Sequence, residues 1–193
     1  MVDGGFGKAG TLAAGFGNGT FNPPPLVEAA DKKTFFHNNL CTTIECAVEF
    51  YNSDAFNDSP SGAIAPISLG QDEVFQVAAF LRAINALENI RAAIEKLENA
   101  RVLSDAGELR LPQLQKLFRL AVADIKDAYR VLNEGKDFQF KPNGLHPAAR
   151  TMLEYAKDNC EMIYSSRSKV ERNYKIAEAL NALALAKKEI VSP

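Results

Sequence analysis

Gln71-Asp-Glu-Val-Phe-Gln-Val-Ala-Ala-Phe-Leu-Arg-Ala-Ile-Asn-Ala-Leu-Glu-Asn-Ile90 opens a run that reaches Asp105 without a glycine or a proline. Val74, Val77, Ala78, Leu81, Ile84 and Leu87 recur at three- and four-residue steps, the period of one helix face. Ile90, Ile94, Leu97 and Arg101 continue the stripe on a drifting face. Ser68-Leu-Gly-Gln71 has the outline of a capping box, and Asp72 and Glu73 suit the positive end of a helix dipole. The run predicts a helix of about 30 residues, roughly 45 Å long. That exceeds a small domain, so its far half needs other helices beside it.

The downstream sequence supplies them. Leu111-Pro112 places proline at a helix start, and Leu114, Leu117, Phe118, Ala121, Ile125, Ala128 and Leu132 form a stripe that Gly135 is suited to stop. Asp137 to Gly144 reads as a connector. Pro147 opens a further helix with Met152, Leu153, Ala156, Cys160 and Ile163 inward. The pattern weakens at Ser165-Ser-Arg-Ser168 and resumes with Val170, Tyr174, Ala177, Leu180 and Ala184 to about Ile190, as a second helix or the continuation of the first. Residues 90–190 therefore read as an antiparallel helical bundle. Strand signals are nearly absent.

Upstream the texture changes. Residues 1–20 are glycine-rich, without helical or alternating period, and read as a loop or tail. A phosphate-loop reading fails because no strand precedes the glycines and Lys8 lacks the Gly-Lys-Ser/Thr ending. Pro23-Pro-Pro25 stiffens the next stretch. Thr42-Thr-Ile-Glu45 reads as a capping box, after which Ile44, Ala47, Val48 and Tyr51 share one face of a short helix. Asn52 to Pro66 is a polar loop. The expected fold class is all-α: an irregular Gly/Pro-rich N-terminal segment and short helix, then a long helix packed in an antiparallel helical bundle. The expected divisions are residues 1–20, 21–90 and 91–193.

With 22 basic and 24 acidic residues, the net charge of -2 gives no reason to expect nucleic acid or an anionic membrane as partner. No apolar run approaches the roughly 18–20 residues of a membrane span. Cys41, Cys46 and Cys160 cannot all pair, no spacing fixes a disulfide, and the plain expectation is free thiols. His37 and His146 are the only histidines, with no tight Cys/His cluster for zinc. Asp54, Asn57 and Asp58 lack EF-hand spacing and read as a polar connector. No Ser/His/Asp arrangement is visible.

One ordered set of motifs goes further. Asn22-Pro-Pro-Pro-Leu26, Phe35-Phe-His-Asn38, Thr43-Ile-Glu-Cys-Ala-Val-Glu-Phe-Tyr-Asn52 and Val77-Ala-Ala-Phe-Leu-Arg-Ala-Ile-Asn-Ala-Leu87 follow one another at set distances. Together, over about residues 3–95, they resemble the C-terminal haem domain of the di-haem cytochrome c peroxidase superfamily, including its MauG-like branch. The resemblance implies a haem-based oxidoreductase that moves electrons, reduces peroxide or oxidises a partner. It implies haem c, with calcium a further cofactor of the family, and a periplasmic location. Tyr51 stands where that branch places the distal ligand of the C-terminal haem iron, with Phe36 and His37 close to the haem. A phenolate is a hard ligand that favours ferric iron.

The departures matter equally. No Cys-x-x-Cys-His haem-attachment motif exists in the chain. Cys46 replaces a residue that is commonly acidic in the family, and the helices after Leu97 lie outside its common core. The chain is thus expected to be a fragment or subunit without covalent haem, inactive alone. Its expected partners are a haem-bearing domain or subunit, a small redox-protein donor, or a second copy of itself. Met1-Val-Asp-Gly-Gly is no signal peptide, so a chain complete as given is expected to stay in the cytoplasm. The alternative is a non-catalytic all-helical interaction or structural protein. Tyrosine on the apolar face of a short helix is ordinarily core packing, and His37 in a turn is ordinarily a backbone hydrogen-bonding residue. His146, just before Pro147, is expected to flank the helix start.

Overall fold

The computed structural model describes residues 25–36, 38–60, 62–106, 111–134, 144–164, 166 and 168–192. These are all-helical, with six α-helices: α1 Ile44–Tyr51, α2 Asp54–Asn57, α3 Gln71–Ala106, α4 Leu111–Asn133, α5 Pro147–Ile163 and α6 Lys169–Val191. Two single 3₁₀ turns occupy Ala29–Asp31 and Gly62–Ile64. The chain falls into two compact units that divide after Ala78, inside α3. The glycine-rich start, Asn22 to Pro24, His37 and Gly135 lie outside the described residues.

The second unit, from Ala79 onward, is a four-helix bundle whose order follows from four inward seams. Ala86, Ile90, Ala93, Leu97 and Ala100 of α3 step by four and three residues. So do Leu114, Phe118, Ala121, Ile125, Ala128 and Leu132 of α4, Leu153, Ala156, Cys160 and Ile163 of α5, and Ile176, Ala179, Leu183, Ala186 and Ile190 of α6. A 4–3 spacing keeps one stripe facing a neighbour along the full helix, the geometry of knobs-into-holes packing.

Polar contacts fix the directions. Arg150 at the start of α5 donates to Asn133 Oδ1 at the end of α4 (2.7 Å), while Gln115 near the start of α4 donates to the Tyr164 carbonyl just past α5 (3.3 Å). These helices are therefore antiparallel. Tyr155 with Glu178 (2.7 Å) and Lys175 with Asn159 (3.2 Å) make α5 and α6 antiparallel too. Lys96 meets Asp124 across α3 and α4 at 2.5 Å, and Asp105 near the end of α3 takes Lys169 (3.2 Å) and Asn173 (3.1 Å) at the start of α6. No helix of the described residues is long and apolar enough to cross a membrane.

The long helix is present, but its buried face differs from the expected stripe. Val77 is exposed and Leu81, Ile84, Leu87 and Ile94 are half-buried, while Arg82, Asn85, Ala86, Ala93 and Ala100 are buried. A hydropathy ranking favours large aliphatics. The bundle instead uses alanines, whose small side chains let helices approach closely. The expected α6 stripe is corrected more sharply. Val170, Tyr174, Ala177 and Ala184 face solvent, Leu180 is half-buried, and the core takes Ile176, Ala179, Ala182, Leu183, Ala186 and Ile190 instead. The cause is that α6 is apolar on two opposite sides, so periodicity alone does not choose between them. α5 ends at Ile163 and α6 begins at Lys169 as a separate helix, where the Ser168 hydroxyl accepts from the amide of Glu171 at 3.4 Å as an N-cap.

The first unit is held differently. The N-cap of α1 is Thr43, one residue later than expected, its hydroxyl accepting from the amide of Cys46 at 3.1 Å. The start of α3 is likewise shifted from Ser68: Glu73 reaches back to the amide of Gly70 at 2.8 Å. The extended stretch before α3 is pinned through its main chain. Asn57 brackets Ile67, donating to its carbonyl (2.7 Å) and accepting from its amide (2.9 Å). Asn52 brackets Leu69 in the same way (2.9 and 2.6 Å). Gly62 is required where it stands, since a Cβ there would lie 2.0 Å from the Phe56 carbonyl oxygen.

Candidate functional site

The features that bear on function in the first unit converge at the end of α1. Ile44, Ala47 and Val48 are buried along its inner face, while Tyr51, one turn further, keeps 41 % of its surface exposed. Its ring does not enter the core as the shared face implied. It joins three others: Phe56 at 5.0 Å, Phe50 at 5.7 Å and Phe36 at 5.9 Å between centroids. Phe36 and Phe50 are closest, at 4.6 Å. Tilted and edge-on pairs at these distances are favourable ring contacts. Phe36, Phe50 and Phe56 are only half-buried, so the cluster is a partly open apolar face. Tyr51 Oη has no hydrogen-bond partner among the described residues.

Phe36 is delivered by a constrained loop. The Phe35 amide donates to the Cys41 carbonyl at 2.7 Å, forming a single antiparallel bridge. Inside that loop Phe36 and Asn39 are left-handed (φ 65° and 56°), a conformation that costs a non-glycine residue of order 1–3 kcal/mol. Thr34 donates to Asn39 Oδ1 (2.7 Å), and Asn38 Oδ1 accepts from the Leu40 amide (3.2 Å). Cys41 and Cys46 are joined as a disulfide. The expectation of free thiols holds for Cys160 alone, which is buried. The bridge runs between the loop and the first turn of α1, a contact of tertiary structure that a five-residue spacing does not announce.

Of the sequence-derived site residues, Tyr51 and Phe36 are brought together, and His37 lies outside the described residues. Sequence reasoning passed over Phe50 and Phe56 as functional residues, although their spacing from Tyr51, one and five residues, offered the signal. His146 stands at the N-cap of α5 with φ 45° and makes no side-chain cap.

A covalent haem needs free thiols. Cys41 and Cys46 are consumed by each other, and burial seals Cys160 and pushes its thiol up to about 12, so it stays neutral. No cysteine of this chain suits a thioether bond. The open ring face, by contrast, suits a flat apolar group held from outside. No group of three His, Cys, Asp or Glu placed to hold a metal occurs among the described residues.

The bundle offers little that is concave. A shallow depression of about 430 Å³ between α4 and α5 is lined by Arg119, Val122, Ala123, Lys126, Glu161 and Tyr164. Its polar groups are engaged, Lys126 with Glu161 at 3.1 Å and Arg119 over the Tyr164 ring at 5.9 Å. No family model, no curated protein and no solved structure matches the chain.

Proposed function

We propose that residues 25–78 form one wall of a haem-binding redox protein of the cytochrome c peroxidase kind, completed by a haem-bearing segment or subunit outside them. The observation that carries this reading is the half-open ring cluster, with the unpartnered Tyr51 phenol at its exposed edge. In a self-sufficient unit such rings would be the core. Here the buried aliphatics larger than alanine are Ile44, Val48 and Val74, while Leu26, Val27, Leu40 and Ile64 (85 % exposed) face outward. The Cys41–Cys46 bond supports a compartment more oxidising than the cytosol, such as the periplasm.

In this reading Phe36, Phe50 and Phe56 exclude water from one face of the group, and Tyr51 offers its oxygen toward iron. The haem would supply the electron-transfer and peroxide chemistry. The chain alone is then inactive, and a small redox protein is the donor to the completed assembly.

Titration of ferric haem into the full chain tests the proposal. A shifted Soret band is expected, with a phenolate-to-iron band that Tyr51→Phe removes. An unchanged spectrum in Tyr51→Phe sinks the ligand role, and a haem spectrum that the protein never perturbs sinks the wall. A second reading, a non-catalytic helical interaction protein, is favoured by one observation: the described bundle is filled by its own side chains.

A further inference from the structure

Helix α6 carries two seams where the bundle uses one. The inward seam is Ile176, Ala179, Leu183, Ala186 and Ile190. On the opposite side Val170, Tyr174, Ala177, Asn181, Ala184, Lys188 and Val191 are all exposed, Val170 to 80 %, Tyr174 to 60 % and Val191 to 61 %. Their steps are four, three, four, three, four and three, the spacing of heptad seam positions over three heptads, with Asn181 and Lys188 the two polar members. At 100° per residue this outer seam lies about 160° from the inner one, so a partner reaching it meets none of the bundle's own helices. The contrast with α4 is direct. Its outer positions Lys116, Arg119, Lys126 and Arg130 are charged, whereas the seven outer positions of α6 hold one charge.

We propose that this seam pairs with the same seam of a second copy of the chain, in parallel and in register, making the protein a homodimer through α6. The composition argues for a copy over a foreign helix. Asn181 sits at the middle of the seam, at the heptad position where an amide is satisfied by the matching amide of an identical helix and is stranded by an apolar one. In register, Leu185 (44 % exposed) lies beside Leu180 of the second copy, while Asn173 and Glu178, at the other flanking pair, keep Asp105 and Tyr155 of their own chain as partners, so no flanking pair opposes like charges. An antiparallel pairing of the same seam sets Glu178 against Glu178 across the two-fold axis. Lys188 meets its own copy only near the helix end, where its stem extends into solvent. Ala177 and Ala184 give the close approach that Tyr174 and Val170 then flank.

Sedimentation equilibrium of the full chain reads the result. A mass of twice 21.1 kDa is expected. Ala184→Glu, at an exposed site, should weaken the dimer by about tenfold or more with unchanged helical circular dichroism. Ala184→Cys should cross-link to itself on mild oxidation, while Glu154→Cys on the outer face of α5 should not. Cys41 and Cys46 are bonded and Cys160 is buried, so the native thiols add no background. A monomer at every concentration to about 100 µM overturns the proposal. So does a dimer indifferent to Ala184→Glu, and so does cross-linking found only when Ala177→Cys and Asn181→Cys chains are mixed.

Discussion

Replacing Asn52 or Asn57 tests how the first unit holds its extended segment. Each amide makes two hydrogen bonds to one residue's backbone, Asn52 to Leu69 and Asn57 to Ile67. A net 0.5–1.5 kcal/mol per bond gives about 1–3 kcal/mol per clamp. Ile67 and Leu69 are half-exposed, so water recovers part of what is lost, and about 1–2 kcal/mol is expected for each alanine variant. That corresponds to a roughly 5–30-fold change in a local opening equilibrium. Hydrogen exchange followed amide by amide is the assay. Asn52→Ala should deprotect Leu69 and spare Ile67, and Asn57→Ala should do the reverse. Asn52→Asp should be no better than alanine, because it keeps the acceptor for the Leu69 amide but sets a carboxylate against the Leu69 carbonyl. Equal deprotection of both amides by either variant would refute the separate-clamp reasoning, as would wild-type amides that exchange at the unprotected rate.

A thiol reagent should find no reactive cysteine in the folded, unreduced protein, one after guanidinium (Cys160), and three after reduction. Opening the five-residue Cys41–Cys46 loop should cost the first unit about 2 kcal/mol by chain entropy, read as a fall in its unfolding midpoint. Burial raises Cys160 to about 12 in the fold, above its unfolded value of about 8.5. Its contribution is therefore whole below about pH 8.5 and falls by about 1.4 kcal/mol per unit as pH rises toward 12. Denaturant titrations of wild type and Cys160→Ala across that window should diverge with that slope, and parallel curves refute it. Lys96→Met should cost about 1 kcal/mol, since both it and Asp124 keep part of their surface in water, and a double-mutant cycle with Asp124→Asn should return a coupling that salt weakens.

Existence and order of α3 to α6 were legible because each inward seam repeats at a helical step and because Pro112 and Pro147 mark two starts, whereas the single-turn α2 lies in the stretch Asn52 to Pro66 that reads as a polar loop. Phase was less legible. In α4 the polar side is unmistakable: the expected stripe is buried apart from the half-buried Leu117, and Val122 and Val131 are buried beside it. In α6 two sides carry apolar residues at helical steps, and the side with Val170 and Tyr174 is the one that faces water. The helix starts at Thr43 and Gly70 slipped by one or two residues because neighbouring residues offer the same capping chemistry. The clamps of Asn52 and Asn57 act across 17 and 10 residues between side chain and main chain, which leaves no periodic trace. At the candidate site, the ring contact of Tyr51 with Phe36, the openness of the cluster and the Cys41–Cys46 bond all depend on where the chain folds back, which no local pattern carries.

The alternation of alanine with leucine or isoleucine along the inner seams of α3, α5 and α6, Ala86 to Ala100, Ala149 to Ala156 and Ala179 to Ala186, has a consequence for how this protein can change over time. Those alanines are fully buried, so a bulkier residue overpacks the seam and a glycine forfeits both contact and helix. Hollowing such an interior into a chamber would take more than a few substitutions, each of them costly. Novelty in the bundle is confined to its skin, where sequence is free to drift and new contacts can be tried without rebuilding the frame.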